Sequence, residues 1–169
     1  MKVSLKAMTA DSFLDYLELA IPCYANANVE SGRWDESGAL DRSRLAYEKL
    51  LPQGPKTAGN YLFHIVDNSN ELELGYVWVE VETATKSAFI YDIAIYEQHR
   101  RNGYAKLALS CVEAFVTTCG AVCLGLHVFN YNVAAQRLYL SVGYKVTVQN
   151  TETLVGHNMM KVLDEDTFQ

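Results

Sequence analysis

The chain has 169 residues, half of them apolar and a fifth charged, with a formal net charge of −6. That length suits one domain (1–169) built on a single core. The acidic balance speaks against nucleic acid or an anionic membrane surface as partner and is compatible with an amine substrate, although it also serves plain solubility.

Residues 2–8 alternate Val3, Leu5 and Ala7 with polar side chains and predict a first strand. Residues 11–20 predict a helix, with Thr9, Asp11 and Ser12 as candidate caps and Phe13, Leu14, Leu17 and Ala20 on one face. Pro22 interrupts or ends it, although the pattern resumes toward Val29. Ser31-Gly32-Arg33 and Ser37-Gly38 are turn signals. A second helix is predicted over 39–51, with Leu40, Leu45, Tyr47, Leu50 and Leu51 as its large apolar residues. Three strands follow, at 61–66, 72–82 and 87–96, separated by polar turns that suit an antiparallel meander.

The clearest helix comes next. Tyr104, Leu107, Ala108, Cys111, Val112, Phe115, Val116 and Cys119 keep the i, i+3, i+4 spacing until Gly120. Residues 122–129 form an apolar run expected of a strand buried on both faces. A shorter helix spans 132–142, capped by Asn132 and ended by Gly143. Strands at 144–149 and 158–163 and a frayed tail at 164–169 close the chain. The order β-α-α-β-β-β-α-β-α-β-β predicts an α/β fold: a mixed, mostly antiparallel sheet flanked by about four helices, with a parallel crossover across 87–129.

Cys23, Cys111, Cys119 and Cys123 form no CxxC pair, and no His/Cys cluster has zinc-site spacing. Free thiols and no metal are expected. The first residues lack a signal-peptide apolar run, and no stretch reaches the ~18 apolar residues of a membrane span. The expectation is a cytoplasmic protein.

The connector 96–105 is polar and basic, and it joins a strand to the strongest helix. A helix mouth offers unpaired N–H groups and the positive dipole end. Gly103 lets a ligand approach the backbone, and Arg100 and Arg101 add charged donors. These features suit a pyrophosphate, and equally a solvated loop. Neither GxGxxG nor GxxxxGK[ST] occurs.

Arg100-Arg101-Asn102-Gly103-Tyr104-Ala105 resembles the R/Q-x-x-G-x-G/A signature of the GNAT acetyltransferases. Asp92-Ile93-Ala94-Ile95 resembles the strand before it. Asn132, Leu138-Tyr139 and Gly143-Tyr144 resemble the family's second block. The likeness is tight over 88–144. The wording Tyr91 to Tyr96 and His127-Val128-Phe129 is similar to bacterial proteins related to ribosomal-protein alanine acetyltransferases.

This resemblance implies an acetyl-CoA-dependent N-acetyltransferase acting on a small-molecule or protein amine, with the acetyl-CoA-binding core at about 87–144 and acceptor-side helices at about 10–51. The backbone of Arg101, Asn102, Gly103, Tyr104 and Ala105, with Arg100 alongside, would hold pyrophosphate. Ile93, Ala94 and Ile95 would pair with the pantetheine arm, and Asn132 would hydrogen-bond it. Tyr139 would be the general acid beside the sulfur, or else a packed core tyrosine. An amine with a pKa of ~10.4 must lose a proton before attack. His127 is the candidate base and Asp92 its rival. Many relatives carry an acid at the position of Phe89, which this chain lacks. Tyr24, Glu30, Trp34, Asp35, Glu36, Trp78 and Glu80 are candidate acceptor contacts. A silent acyl-CoA-binding module is the alternative function, and exposed sheet edges are compatible with a homodimer.

Overall fold

The elements follow the predicted order in a computed structural model that describes residues 2–147 and 155–164. They are β1 (Val3–Ala7), α1 (Ala10–Glu30), α2 (Ala39–Leu50), β2 (Asn60–Asp67), β3 (Glu73–Glu82), β4 (Ser87–Ile95), α3 (Tyr104–Thr118), β5 (Cys123–Phe129), α4 (Val133–Ser141), β6 (Lys145–Val146) and β7 (Gly156–Val162). The seven strands lie side by side as β1-β2-β3-β4-β5-β7-β6. The β4–β5 pair is parallel, with α3 as its crossover, and the other neighbours are antiparallel.

Alternation in β3 divides the core in two. Val77, Val79 and Val81 join the layer that α3 closes with Ala108, Leu109, Val112 and Val116. Tyr76 and Trp78 face the opposite layer, where α1 and α2 supply Phe13, Tyr16, Ala20 and Tyr47. Each buried large side chain contributes roughly 1.5–3 kcal/mol, so both faces of the central sheet are firmly held.

Three local expectations need correction. Helix α1 does not stop at Pro22 but runs through it to Glu30. Proline removes one intrahelical bond and crowds the preceding turn, at a cost of about 3 kcal/mol. Burial of Ala20, Ala25 and Asn28 on both sides of it holds the helix together. A Thr9–Ser12 capping box starts α1.

In α2 the buried face is Ala39, Ser43 and Tyr47, while Leu40, Leu45 and Leu50 are exposed. The Ser43 hydroxyl donates to the Ile21 carbonyl at 2.7 Å, so a polar contact helps orient the buried face.

Strand β5 is not buried on both faces. Leu124, Leu126 and Val128 are buried, and the residues between them are half-open. The closing strand predicted at 144–149 is short, Lys145–Val146, with 148–149 outside the described residues, as are 165–169 of the predicted tail. Among the described residues no helix is long and apolar enough to cross a membrane.

Candidate active site

Parallel pairing between β4 and β5 runs only from Ser87–Cys123 to Ile90–Leu126. At that point β4 also breaks register with β3: Trp78 pairs with Asp92 and Val79 with Ile90, leaving Tyr91 as an extra residue. A bulge of this kind kinks its strand and re-aims side chains. Beyond it the two strands part, and a cavity of about 400 Å3 opens. Its walls include Ile90 to Ile93 of β4, Leu126 to Phe129 of β5, Asn132 and Tyr139 from the α4 side, and Tyr24 and Tyr47 of the outer helices.

The Tyr96 N–H donates to the Leu74 carbonyl at 2.8 Å, and Ala94 pairs with Tyr76 of β3. Antiparallel alternation therefore turns the backbone groups of Ile93 and Ile95 away from β3, toward the gap. Of the three predicted pantetheine partners, Ile93 and Ile95 turn their backbone there, with the Ile93 N–H hydrogen-bonded to the Asp92 carboxylate. Ala94 gives its backbone to β3.

The bulge also decides where Asp92 sits. Phe89 and Tyr91 face the helix α1–α2 layer, and the extra residue brings Asp92, Ala94 and Tyr96 onto that same face. The Tyr16 hydroxyl donates to Asp92 Oδ2 at 2.9 Å. Burial pushes the Asp92 carboxyl up from 3.8 to about 6, and hydrogen bonds from Tyr16, the Ile93 N–H and Tyr47 pull it part of the way back. Tyr47 and Trp78 pack on each other nearby, ring centroids 5.5 Å apart, and Trp78 stacks on Tyr91 at 4.6 Å.

Tyr139 is buried against Tyr144 yet lines the cavity. Among the described residues its hydroxyl has no hydrogen-bond partner. Burial first, and the Asp92 charge second, push it up to about 12. His127 lies on the half-open face of β5 and lines the same cavity. Its ring meets Phe129 edge-on at 5.0 Å and lies over Gly156, where a Cβ would come within 2.8 Å of it. Tyr139, His127 and Asp92 are thus brought together.

At the α3 mouth, Arg101 (φ 66°) and Gly103 (φ 81°) are both left-handed. Among the described residues, the N–H groups of residues 101–106 donate to no protein acceptor. Successive unpaired amides at a helix start form an anion-binding concavity. A Cβ on Gly103 would meet nothing within 4 Å, so the space before these amides is open. They fit the CoA pyrophosphate.

Around this concavity, Arg100 Nε donates to the Ile95 carbonyl at 2.9 Å, tying the loop to the strand end. The Asn102 amide donates to the His99 and Arg100 carbonyls, and the Tyr104 hydroxyl to Asp67 at 3.1 Å. Ala105, in the first turn of α3, packs on the core. Asn132 Oδ1 caps α4 by accepting the Ala135 N–H, which leaves the Asn132 amide NH2 for a ligand.

Of the predicted acceptor contacts, Tyr24 and Trp78 line the cavity. Glu30, Trp34, Asp35, Glu36 and Glu80 do not; Glu80 accepts from the Tyr91 hydroxyl, and Trp34 packs on Tyr24 and Arg42. Sequence reading missed Tyr16 and Tyr47 as partners of Asp92, and Cys23 and Arg33 as lining residues. Nothing in the sequence pairs Tyr16 with a carboxylate 76 positions away.

A profile of the acetyltransferase (GNAT) family matches residues 20–144. Two Bacillus subtilis proteins described as uncharacterized N-acetyltransferases, YdgE and YycN, are each 34% identical over 149 residues. That stretch is 87% of this chain and 94% and 95% of theirs, respectively. The crystal structure of YycN superposes with a TM-score of 0.83 at 32% identity, covering 89% of this chain and 96% of that one. A spermidine N-acetyltransferase from Vibrio cholerae, solved with CoA and spermine, shares the fold at 18% identity, with a TM-score of 0.68 and 96% coverage of both chains.

Proposed function

The chain belongs to the acetyltransferase (GNAT) family, and from that premise we propose how its residues divide the work. The protein is an acetyl-CoA-dependent N-acetyltransferase that transfers an acetyl group to a primary amine. The family's cosubstrate supplies an acyl group activated as a thioester, the acceptor supplies the nucleophilic nitrogen, and the chain binds and orients both and accepts the proton.

The row of unpaired amides at residues 101–106 holds the pyrophosphate, and the Ile95 N–H, the Ile93 carbonyl and Asn132 line up the rest of the ligand. This row is the observation that carries the reading: to the open N–H groups of an ordinary helix start it adds those of Arg101 and Asn102, in a loop with two left-handed residues, Arg101 and Gly103. Asp92 is the proton acceptor. A carboxylate at about 6 is largely ionised at neutral pH yet basic enough to take a proton as nitrogen attacks. His127 shares the same wall and is the second candidate.

Tyr139, pushed up to about 12, is fully protonated at working pH. Giving its proton outright to a thiolate of pKa ~8.5 would be uphill, so it acts as a hydrogen-bond donor to the departing sulfur.

Helices α1 and α2 form the acceptor side, and the stretch from β4 to α4 the acetyl-CoA side. The likeness of Tyr91 to Tyr96 and His127 to Phe129 to ribosomal-protein alanine acetyltransferases puts peptide N-termini in the acceptor panel. We place the enzyme in the cytoplasm.

The test is CoA-thiol release from acetyl-CoA across a panel of amines, run beside a thermal shift with CoA. Stabilisation by CoA and amine-dependent thiol release are expected. Stabilisation without release for any amine would leave only the acyl-CoA-binding module.

A further inference from the structure

Among the described residues, two formally charged side chains line the cavity. Asp92 is one, held against the sheet; Arg33, on the turn between α1 and α2, is the other. Arg33 is exposed, and its guanidinium makes no ion pair or hydrogen bond with any described residue. Its neighbour Arg42, by contrast, is tied to the Asp35 carbonyl and the Trp34 ring. The turn therefore uses one arginine to hold itself together and leaves the other at the cavity wall with its donors unspent.

Between these charges the lining is largely aromatic and apolar, with Tyr24, Trp78 and Phe129 among its members. An entering ammonium is well served by aromatic faces and by the Asp92 carboxylate. A second ammonium on the same acceptor would find no further carboxylate among the described residues of this lining and would meet the charge of Arg33. A polyamine would thus be penalised by both desolvation and repulsion. An anionic group instead meets a planar fork of unused donors suited to a carboxylate or a phosphate.

We propose that the acceptor is a small primary amine carrying a carboxylate or phosphate, with Arg33 reading the anion while Asp92 takes the proton from nitrogen. This deepens the acetyltransferase reading above and rests on it. The chemistry balances without a further reactant: nitrogen gains the acetyl carbon, the carbon–sulfur bond breaks, and the ammonium gives up two protons, one to Asp92 and one to the departing sulfur, so that CoA leaves as the thiol.

The test is a matched acceptor series: n-alkylamines, aminoalkanoates (α- and ω-), aminoalkylphosphonates and α,ω-diamines, each from three to eight carbons, with peptides bearing an N-terminal Ala or Ser. CoA-thiol release gives kcat/KM for each. At one length or more, a carboxylate or phosphonate should exceed its matched alkylamine by about tenfold, equivalent to about 1.4 kcal/mol. The diamine should fall below both, and the carboxylate and phosphonate arms show which anion is read. Arg33→Gln should collapse the ratio toward one, and Arg33→Lys should restore part of it by returning the charge.

A diamine or a peptide preferred over every anionic amine would overturn the proposal. So would an unchanged ratio in Arg33→Gln, or a change confined to the KM for acetyl-CoA. Absence of release with every amine, with CoA still stabilising the protein, would instead strike the acetyltransferase reading and this proposal with it.

Discussion

Replacing Asp92 with Asn should stabilise the protein at pH 8 while removing most of its activity. The carboxyl titrates at about 6 in the fold against an ordinary 3.8. Below about pH 4 it is protonated both folded and unfolded and costs nothing. As pH rises toward 6 the unfolded chain has released the proton while the fold still holds it, so stability is lost. Above the folded value the loss is complete, at about 3 kcal/mol.

Asparagine is never ionised and escapes that penalty. It has one acceptor oxygen where the carboxylate draws on Tyr16, Tyr47 and the Ile93 N–H, so about 1 kcal/mol is given back. The net gain of about 2 kcal/mol at pH 8 should raise Tm by about 4–8 °C and should vanish by pH 4. Thermal unfolding of both proteins from pH 4 to 9 measures this.

In the same pair of proteins, wild-type kcat/KM should rise through about pH 6, and the variant should lose this limb along with about 100-fold or more in rate. An equal Tm difference at pH 4 and pH 8 would refute the burial argument. A variant that keeps its acid limb would transfer the proton-accepting role to His127, and His127→Ala should then abolish the limb.

Gly103→Asp places a negative charge and a strained left-handed residue before the orphan amides; the Kd for CoA, measured by titration calorimetry, should rise at least about tenfold. Unchanged affinity would remove the pyrophosphate from that mouth. Tyr139→Phe should lower kcat by about 10–100-fold, the worth of one hydrogen bond to a charged atom, with CoA affinity held within about twofold. An unaltered kcat returns Tyr139 to a packing role. Gly75→Ala would drive a Cβ to 2.0 Å from the Ala94 carbonyl oxygen. The β3–β4 backbone must then shift, and denaturant unfolding should show a loss of about 1–3 kcal/mol; a neutral result would mean that the two strands are further apart.

Much of the fold could be read from local pattern. The eight apolar residues from Tyr104 to Cys119 repeat at helical spacing, and the observed α3 begins at Tyr104 and ends at Thr118. Alternation in β3 assigned Tyr76 and Trp78 to one face and the valines to the other, as the two core clusters do. The failures were equally local in origin. Pro22 reads as a stop because sequence cannot weigh its cost against burial on both sides of it. The large apolar residues of α2 do not disclose which face is buried, because sequence cannot show that Ser43 would seek the Ile21 carbonyl. The run at β5 reads as doubly buried because nothing local says that β4 will pull away from it.

The sequence by itself determined the order of the elements, the basic glycine loop at the start of α3, and the presence of Asp92, His127 and Tyr139 in the segments that surround the site. These follow from periodicity and residue chemistry within a few turns of chain. Only the tertiary structure decided that a one-residue bulge at Tyr91 parts two strands, that tyrosines from two distant helices bury and bond Asp92, and that Arg33 comes to the same cavity with its donors unspent. Proton affinity and charge recognition depend on what surrounds a group in space, and those neighbours are set by packing between segments far apart in the chain.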